Sequence, residues 1–463
     1  MRIPTIVAGL AATLLATSAF AAPPKVDPAL HDKALEILKK SIGYRTVMGG
    51  DQFVPYANYL KGELMAGGFK AEEITVEPFG GSAFLIARYP GKDPKKPPIV
   101  ISGHMDVVEA KPEDWTRDPF TAVVENGYVY GRGASDNKFD VATMVALLAD
   151  LRRRGWKPGR DVVLALSGDE ETKMITTAEL ARRLKGAEMV LNIDGGGGSL
   201  KDGKPLGYGI QGAEKTYADF TLELTDPGGH SSRPTPSNPI YRLSRALDRL
   251  AAYQFPVMWN DITLTSAAAR APNTPGPLGD ALKRFAANPK DEEAVKVLAA
   301  DLNTNPSLRT TCVATMISGG HAPNALPQRV TANVNCRIFP GVSSESVRQE
   351  ITKVLAEPGV TVTRVADDGS VDSPASPLRP DLIAAVTKAV HARYPGLAVV
   401  PSQASGATDS MHFRAVGIPS YGVSGMFAEG GESFAHGLNE KAPLATLDGN
   451  LFHYESILKD LAK

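Results

Sequence analysis

Ile99-Val100-Ile101-Ser102-Gly103-His104-Met105-Asp106 sets a short apolar run directly ahead of a histidine and an acid two positions apart. An unbroken apolar run of this length suits a strand buried on both faces, as in a parallel sheet covered by helices. The pattern recurs downstream. Asp161 to Ser167 (DVVLALS) runs into Glu170-Glu171, and Met189 to Ile193 (MVLNI) runs into Asp194. Between the first two strands, Lys138 to Arg153 carries Phe139, Val141, Met144, Val145, Leu148 and Leu151 on one broad helical face, with Asp136 just ahead of it. Strand–helix–strand alternation predicts an α/β layer fold with a mostly parallel central sheet. In such sheets ligands bind at the carboxyl ends of the strands, and those ends are where the acids and His104 fall.

Outward from this core, Pro28 to Lys40 and Val54 to Gly67 read as helices. After Ala213 the pattern changes. Tyr217 to Thr225 alternates as a half-exposed strand, a helix follows from Pro239 to Tyr253, and strands follow at Thr311 to Ile317 and Arg329 to Ile338. A helix from Ser344 to Ala356 and a strand from Val360 to Val365 complete a β-α-β-β-α-β order, which is the split βαβ pattern. An Ala-rich, Pro-rich insert, residues 255–308, interrupts it and has no readable function. From Ser376 the α/β character returns, with helices at Leu378 to Arg393 and Leu444 to Leu461. The expected division is residues 22–213 and 371–463 as one split domain, with 214–370 inserted as a second.

The chain has 463 residues, 43% hydrophobic and 22% charged, with a formal net charge of −1. That balance gives no electrostatic reason to expect nucleic acid or an anionic membrane as a partner. Met1-Arg2, an apolar run from Ile3 to Thr17 and Ala19-Phe20-Ala21 before Pro23-Pro24 read as a signal peptide, residues 1–21, removed on export to the periplasm or beyond. The alternative is an uncleaved anchor, for which the run is short. The only cysteines, Cys312 and Cys336, are far from the acids and histidines and do not form a zinc knuckle. They are equidistant from a turn near Asn324, so antiparallel pairing would let them face each other as a disulfide or as two buried thiols.

His104, Asp136, Glu170, Glu171, Asp194 and His436 are residue types that suit zinc. Two zincs need a bridging carboxylate. Asp136 is the natural bridge, His104 with Asp194 and Glu171 with His436 form two outer sets, and Glu170 is left as a base for the attacking water. Asp106 is placed to accept the other ring N–H of His104. Each residue also has a bland reading: Asp194 as a turn cap, the glutamate pair as a solvated loop, His436 as a loop residue. His31, His391 and His453 read as helix-surface residues.

Ser102-Gly-His-Met-Asp-Val, Gly131-Arg-Gly-Ala-Ser-Asp-Asn-Lys138, Gly168-Asp-Glu-Glu171, Asn192-Ile-Asp194 and Ala435-His-Gly-Leu-Asn-Glu440 together resemble the di-zinc family of glutamate carboxypeptidase, aminoacylase, acetylornithine deacetylase and succinyl-diaminopimelate desuccinylase. The resemblance spans almost the whole mature chain and is strongest to the carboxypeptidase S and N-acyl-amino-acid hydrolase branch. It implies a zinc-peptidase-like catalytic domain with an inserted ferredoxin-like lid that dimerises. It also implies two Zn²⁺ per chain, with Co²⁺ or Mn²⁺ as substitutes, and the ligand roles given above. From the lid it adds His230 as an oxyanion donor, and Asn324 and Arg337 as holders of the substrate carboxylate. Arg337 in a surface ion pair and Asn324 as a purely structural turn residue are the alternatives. Thr172-Lys173-Met174 departs from the glycine often found after the paired glutamates, which leaves the specificity wall open. The implied activity is hydrolysis of a peptide or N-acyl amide bond next to a free carboxylate. The rivals are a two-zinc aminopeptidase and an inactive binding protein on the same scaffold.

Overall fold

The computed structural model describes residues 25–366, 369–430 and 434–463; the expected signal segment lies outside them. A ten-stranded mixed sheet forms the larger layer. Its centre is four parallel strands in the order Val162–Ser167, Ile99–His104, Met189–Asn192, Ser420–Gly422. All four are buried along their whole length, which is why three of them read as unbroken apolar runs. Antiparallel strands flank this centre. Ser82–Tyr89 and Ile74–Phe79 extend one side, and Lys204–Glu214 extends the other.

Helices cover both faces. Pro28–Ile42, Phe53–Ala66, Lys138–Arg153, Pro380–Arg393 and Leu447–Leu461 pack their apolar sides on one face. Ile175–Arg183 and Ser410–Ala415 cover the other, over Phe84, Val100, Val163 and Val190. Lys138–Arg153 is buried nearly all round, as a helix between a sheet and an outer helical layer must be. His453 corrects the surface reading: it is fully buried, its ring 5.3 Å from that of Tyr208 and its Nε2 3.1 Å from the Tyr208 hydroxyl. One polar partner lets the imidazole enter the core as a neutral ring.

A second, four-stranded antiparallel sheet has the order Thr311–Gly319, Arg329–Ile338, Thr216–Thr225, Thr361–Arg364. Helices Pro239–Ala252 and Ser344–Leu355 cover one face through Leu243, Ala246, Val347 and Ile351, against Phe220, Leu222 and Val334. Chain order and strand order together are those of the split βαβ pattern. Buried and half-buried positions alternate along Arg329–Ile338, the signature of a sheet covered on one side. Residues 255–308 contain helices Asp261–Arg270, Pro277–Ala287 and Glu292–Ala300 around their own apolar cluster of Ala267, Leu282, Phe285 and Leu298. Asn260 and Asp291 cap two of them. Cys312 and Cys336 are register partners and are disulfide-bonded, with Cα atoms 4.1 Å apart.

The burial of His453 has a pH signature. Burial holds its pKa down at about 3. A neutral buried histidine stabilises the fold above its unfolded pKa of about 6.5, and this stability is lost as pH falls from there towards the folded value. Between pH 7 and pH 5 the loss is about 2 kcal/mol. His453→Gln should therefore show a shallower fall in unfolding free energy than wild type over that range. Denaturant titrations giving parallel pH profiles would contradict this.

Candidate metal centre

The strand Ile99–His104 delivers His104 to the carboxyl edge of the sheet. Gly103 lets it sit tightly there, since a Cβ on Gly103 would fall 2.7 Å from Asn137 Oδ1. His104 Nδ1 lies 3.1 Å from the Asp106 carbonyl, which turns Nε2 towards Asp136 Oδ1 at 3.0 Å. Asp194 Oδ1 stands 3.9 Å from the same Nε2. On the other side, His436 Nε2 lies 3.2 Å from Asp136 Oδ2 and 2.9 Å from Glu171 Oε1. Asp136 thus sits between two imidazoles, one to each oxygen. Among the described residues, two donor groups are tight enough for an ion, His104 with Asp136 and Glu171, and His104 with Glu170 and Asp194.

The charge balance of this cluster is unusual. Asp136, Glu170, Glu171 and Asp194 share one recess. Burial pushes the Glu170 carboxyl well above its usual range, and the nearby acids add to this against the pull of His104. Asp194 is raised by burial and then by Asp136. Burial acts against Asp136 as well, but hydrogen bonds from His104 and His436 hold its pKa below the ordinary value. His436, bound to Asp136 and Glu171, is raised to about 10. Carboxylates this close and this largely buried demand positive charge. Imidazole nitrogens with carboxylate oxygens suit zinc, and a carboxylate shared between two histidines is the donor arrangement that a pair of divalent cations needs. The residues present fit two such ions.

Buried polar groups hold the donors in place. The Asp106 carboxylate accepts the backbone N–H groups of Glu170 (3.2 Å) and Glu171 (2.9 Å). It therefore orders the glutamate turn, while its carbonyl takes the closer position on His104; its Oδ1 is 3.4 Å from that ring. Glu440 accepts the N–H groups of Gly133 (3.0 Å), Ser135 (2.8 Å) and Asp136 (3.0 Å) and pairs with Arg132 at 2.7 Å. Asn137, which follows Asp136 through a cis peptide bond, accepts from the His104 N–H and donates to the Ile193 carbonyl, both at 3.3 Å. Asn192 Oδ1 accepts the Asp194 N–H at 2.8 Å. Sequence reasoning gave Glu440, Asn137 and Asn192 no role. Their signal was adjacency to the candidate ligands in otherwise apolar or glycine-rich surroundings.

A cavity of about 650 Å³ opens on the cluster, lined by Asp136, Glu170, Glu171, Asp194, His436 and, from the second sheet, Arg337. The Arg337 guanidinium lies 4.7 Å from the centre of the Tyr217 ring, and its Nη1 donates to the Ser405 carbonyl at 3.2 Å. Tyr217 and Asp219 complete that wall. His230 and Asn324 are not brought there. His230 sits in the two-residue ladder Gly229–His230 against Ala325–Leu326, exposed, with Nδ1 accepting the Ser232 N–H at 3.1 Å. Asn324 is an exposed neighbour whose carbonyl accepts from Ser231.

The family model described as Peptidase family M20/M25/M40 matches residues 100–460. The mouse N-fatty-acyl-amino acid synthase/hydrolase PM20D1 is 30% identical over 277 residues, 58% of this chain; the match spans about half of the mouse protein, 54%. Probable carboxypeptidase S-like 2 of Dictyostelium discoideum is 25% identical over 402 residues, 82% of this chain and 74% of its own. The fold is shared with an M20 family metallo-carboxypeptidase from Sulfolobus solfataricus, at a TM-score of 0.70 and 22% identity over 93% of this chain and 99% of that one. With the family model covering most of its length and the acid–histidine cluster at its strand ends, the chain belongs to peptidase family M20/M25/M40 and is a metallohydrolase of that family.

Proposed function

We propose that the protein is an exported, homodimeric di-zinc hydrolase that cleaves a peptide or N-acyl amide bond beside a free carboxylate, as a carboxypeptidase, dipeptidase or N-acyl-amino-acid deacylase. One observation carries the reading: the Arg337 guanidinium lines the same cavity as the acid–histidine cluster. The activities named for the relatives, N-fatty-acyl-amino acid synthase/hydrolase and carboxypeptidase, support it. The aminopeptidase alternative needs a free acid for an α-amine. Asp219 is the carboxylate nearest that role on the lid wall, but it already accepts from the Tyr217 hydroxyl and from Asn333 and Asn335, both at 2.9 Å.

In this reading His104 and Asp194 hold one ion, Glu171 and His436 the other, and Asp136 both. When bound, the ions supply a water of lowered pKa and polarise the scissile carbonyl. Glu170 stands close to His104 and Asp194, but in this reading it is left unassigned to either ion, takes the water proton and returns it to the leaving amine. Arg337 clamps the substrate carboxylate bidentately and so fixes which amide reaches Glu170. His230 and Asn324 act from a second copy. Their exposure supports this, as does the outer edge of Thr311–Gly319, where Val313, Met316 and Ile317 are 60%, 71% and 59% exposed. An open apolar edge strand is a pairing surface. His230 would then donate to the oxyanion. The disulfide supports export, and no helix among the described residues is long and apolar enough to cross a membrane.

Arg337→Ala should lower kcat/KM by about two to three orders of magnitude, the worth of a charged, partly buried contact. Arg337→Lys should recover only part. Amidating the substrate's carboxylate should harm wild type far more than Arg337→Ala. Equal cleavage of free-acid and amidated substrates by wild type would move the aminopeptidase reading ahead. Native mass spectrometry of protein purified from its producing cell should give a dimer of chains that begin at Ala22. A monomer would confine His230 to its own chain, and a retained Met1 would end the signal-peptide reading.

A further inference from the structure

Arg309 is only 6% exposed, yet no carboxylate stands within ion-pair distance of it among the described residues. Its Nη1 donates to the Gln254 side-chain oxygen at 3.0 Å and to the Phe255 carbonyl at 2.9 Å. Its Nε is buried and has no hydrogen-bond partner among the described residues. A guanidinium presents its N–H groups as a rigid fork, and buried charges are ordinarily paired. Here burial acts alone and holds the pKa below its ordinary value.

This arginine lines a cavity of about 550 Å³ that shares no residue with the catalytic one. The cavity lies between the segment leading to Trp259 and the helix Glu292–Ala300. Its walls are mainly apolar, from Val257, Trp259, Val295 and Ala299. Lys290 and Lys296 add two cations to Arg309, against the single acid Glu292. A volume of this size suits a small molecule, and an apolar lining with a few converging polar groups is the usual composition of such sites.

We propose that this cavity binds a small amphipathic carboxylate, its headgroup on Arg309 with Lys290 and Lys296 beside it, and its apolar body along Trp259 and Val295. The headgroup would supply the counter-charge that Arg309 lacks among the described residues. An inorganic anion would use the cations but not the apolar wall, and a neutral apolar ligand would leave Arg309 unpaired.

Decanoate titrated calorimetrically into full-length Arg337→Ala protein tests this without a contribution from the catalytic guanidinium. Saturable binding is expected, accompanied by a change in Trp259 fluorescence that disappears in a Trp259→Phe variant. Adding Arg309→Met should weaken decanoate at least about tenfold, the worth of a charge-assisted contact, while methyl decanoate binds both proteins alike. Ala299→Phe, which fills the cavity and leaves Arg309 in place, should abolish binding, and it decides the matter if Arg309→Met fails to fold. No binding, an unchanged Trp259 signal, or equal decanoate affinity with Arg309→Met or Ala299→Phe would overturn the proposal.

Discussion

Negative charge crowded into one largely buried recess is the constraint on which the rest of this protein depends. Asp136, Glu170, Glu171 and Asp194 meet at the carboxyl edge of one sheet with His104 and His436 between them. Such a cluster opposes its own burial. The fold tolerates it because His104 ends a strand, and Glu170, Glu171 and Asp194 follow strands, whose positions are fixed by a large apolar core, and because cations at this spot would turn repulsion into coordination. Parallel strands matter here. Their carboxyl ends lie along one edge, so residues far apart in sequence arrive together without a long loop.

The donors are aimed by neighbours that do not line the cavity. Glu440 gathers three backbone N–H groups of the segment ending at Asp136, and Asp106 gathers those of Glu170 and Glu171. Asn137 and Asn192 tie the ends of neighbouring strands to the same place. The buried Arg132–Glu440 pair joins the first and last parts of the chain beside Asp136. Arg337 enters from the other sheet, on a strand next to the disulfide-bonded edge. The cavity is therefore assembled from two separately cored units, and a shift of one against the other would change how far the guanidinium stands from the acids.

What was legible in the sequence follows from the same physics. Ile99–His104 and Val162–Ser167 are buried on both faces, so their composition announces them, and Lys138–Arg153 falls where its apolar spacing puts it. The ligand candidates were legible because chemistry restricts them to histidine and acids, with His104, Glu170, Glu171 and Asp194 at strand ends and Asp136 ahead of a helix. The hairpin of Ile74–Phe79 and Ser82–Tyr89 was missed: Glu77 and Pro78 break the pattern on a strand that is only partly covered. The burial of His453 was missed because its partner, Tyr208, lies on a distant strand. Glu440 was quoted without a role, since an acid that accepts backbone N–H groups looks in sequence like any other acid. The helices of residues 255–308 were hidden by short amphipathic runs whose apolar partners lie mostly in the insert itself. For His230 and Asn324 the family resemblance supplied roles, while a single chain holds them away from the cavity.

The central claim is that the cluster is a two-cation centre joined by Asp136, with Glu170 outside the coordinating set. Zinc per chain, measured by elemental mass spectrometry after equilibration with zinc and removal of excess, tests it most directly. The account predicts about two ions in wild type and in Glu170→Gln, the latter with kcat reduced by several orders of magnitude, and a clear loss of zinc in Asp136→Ala. Loss of an ion from Glu170→Gln, or full retention of both by Asp136→Ala, would contradict it.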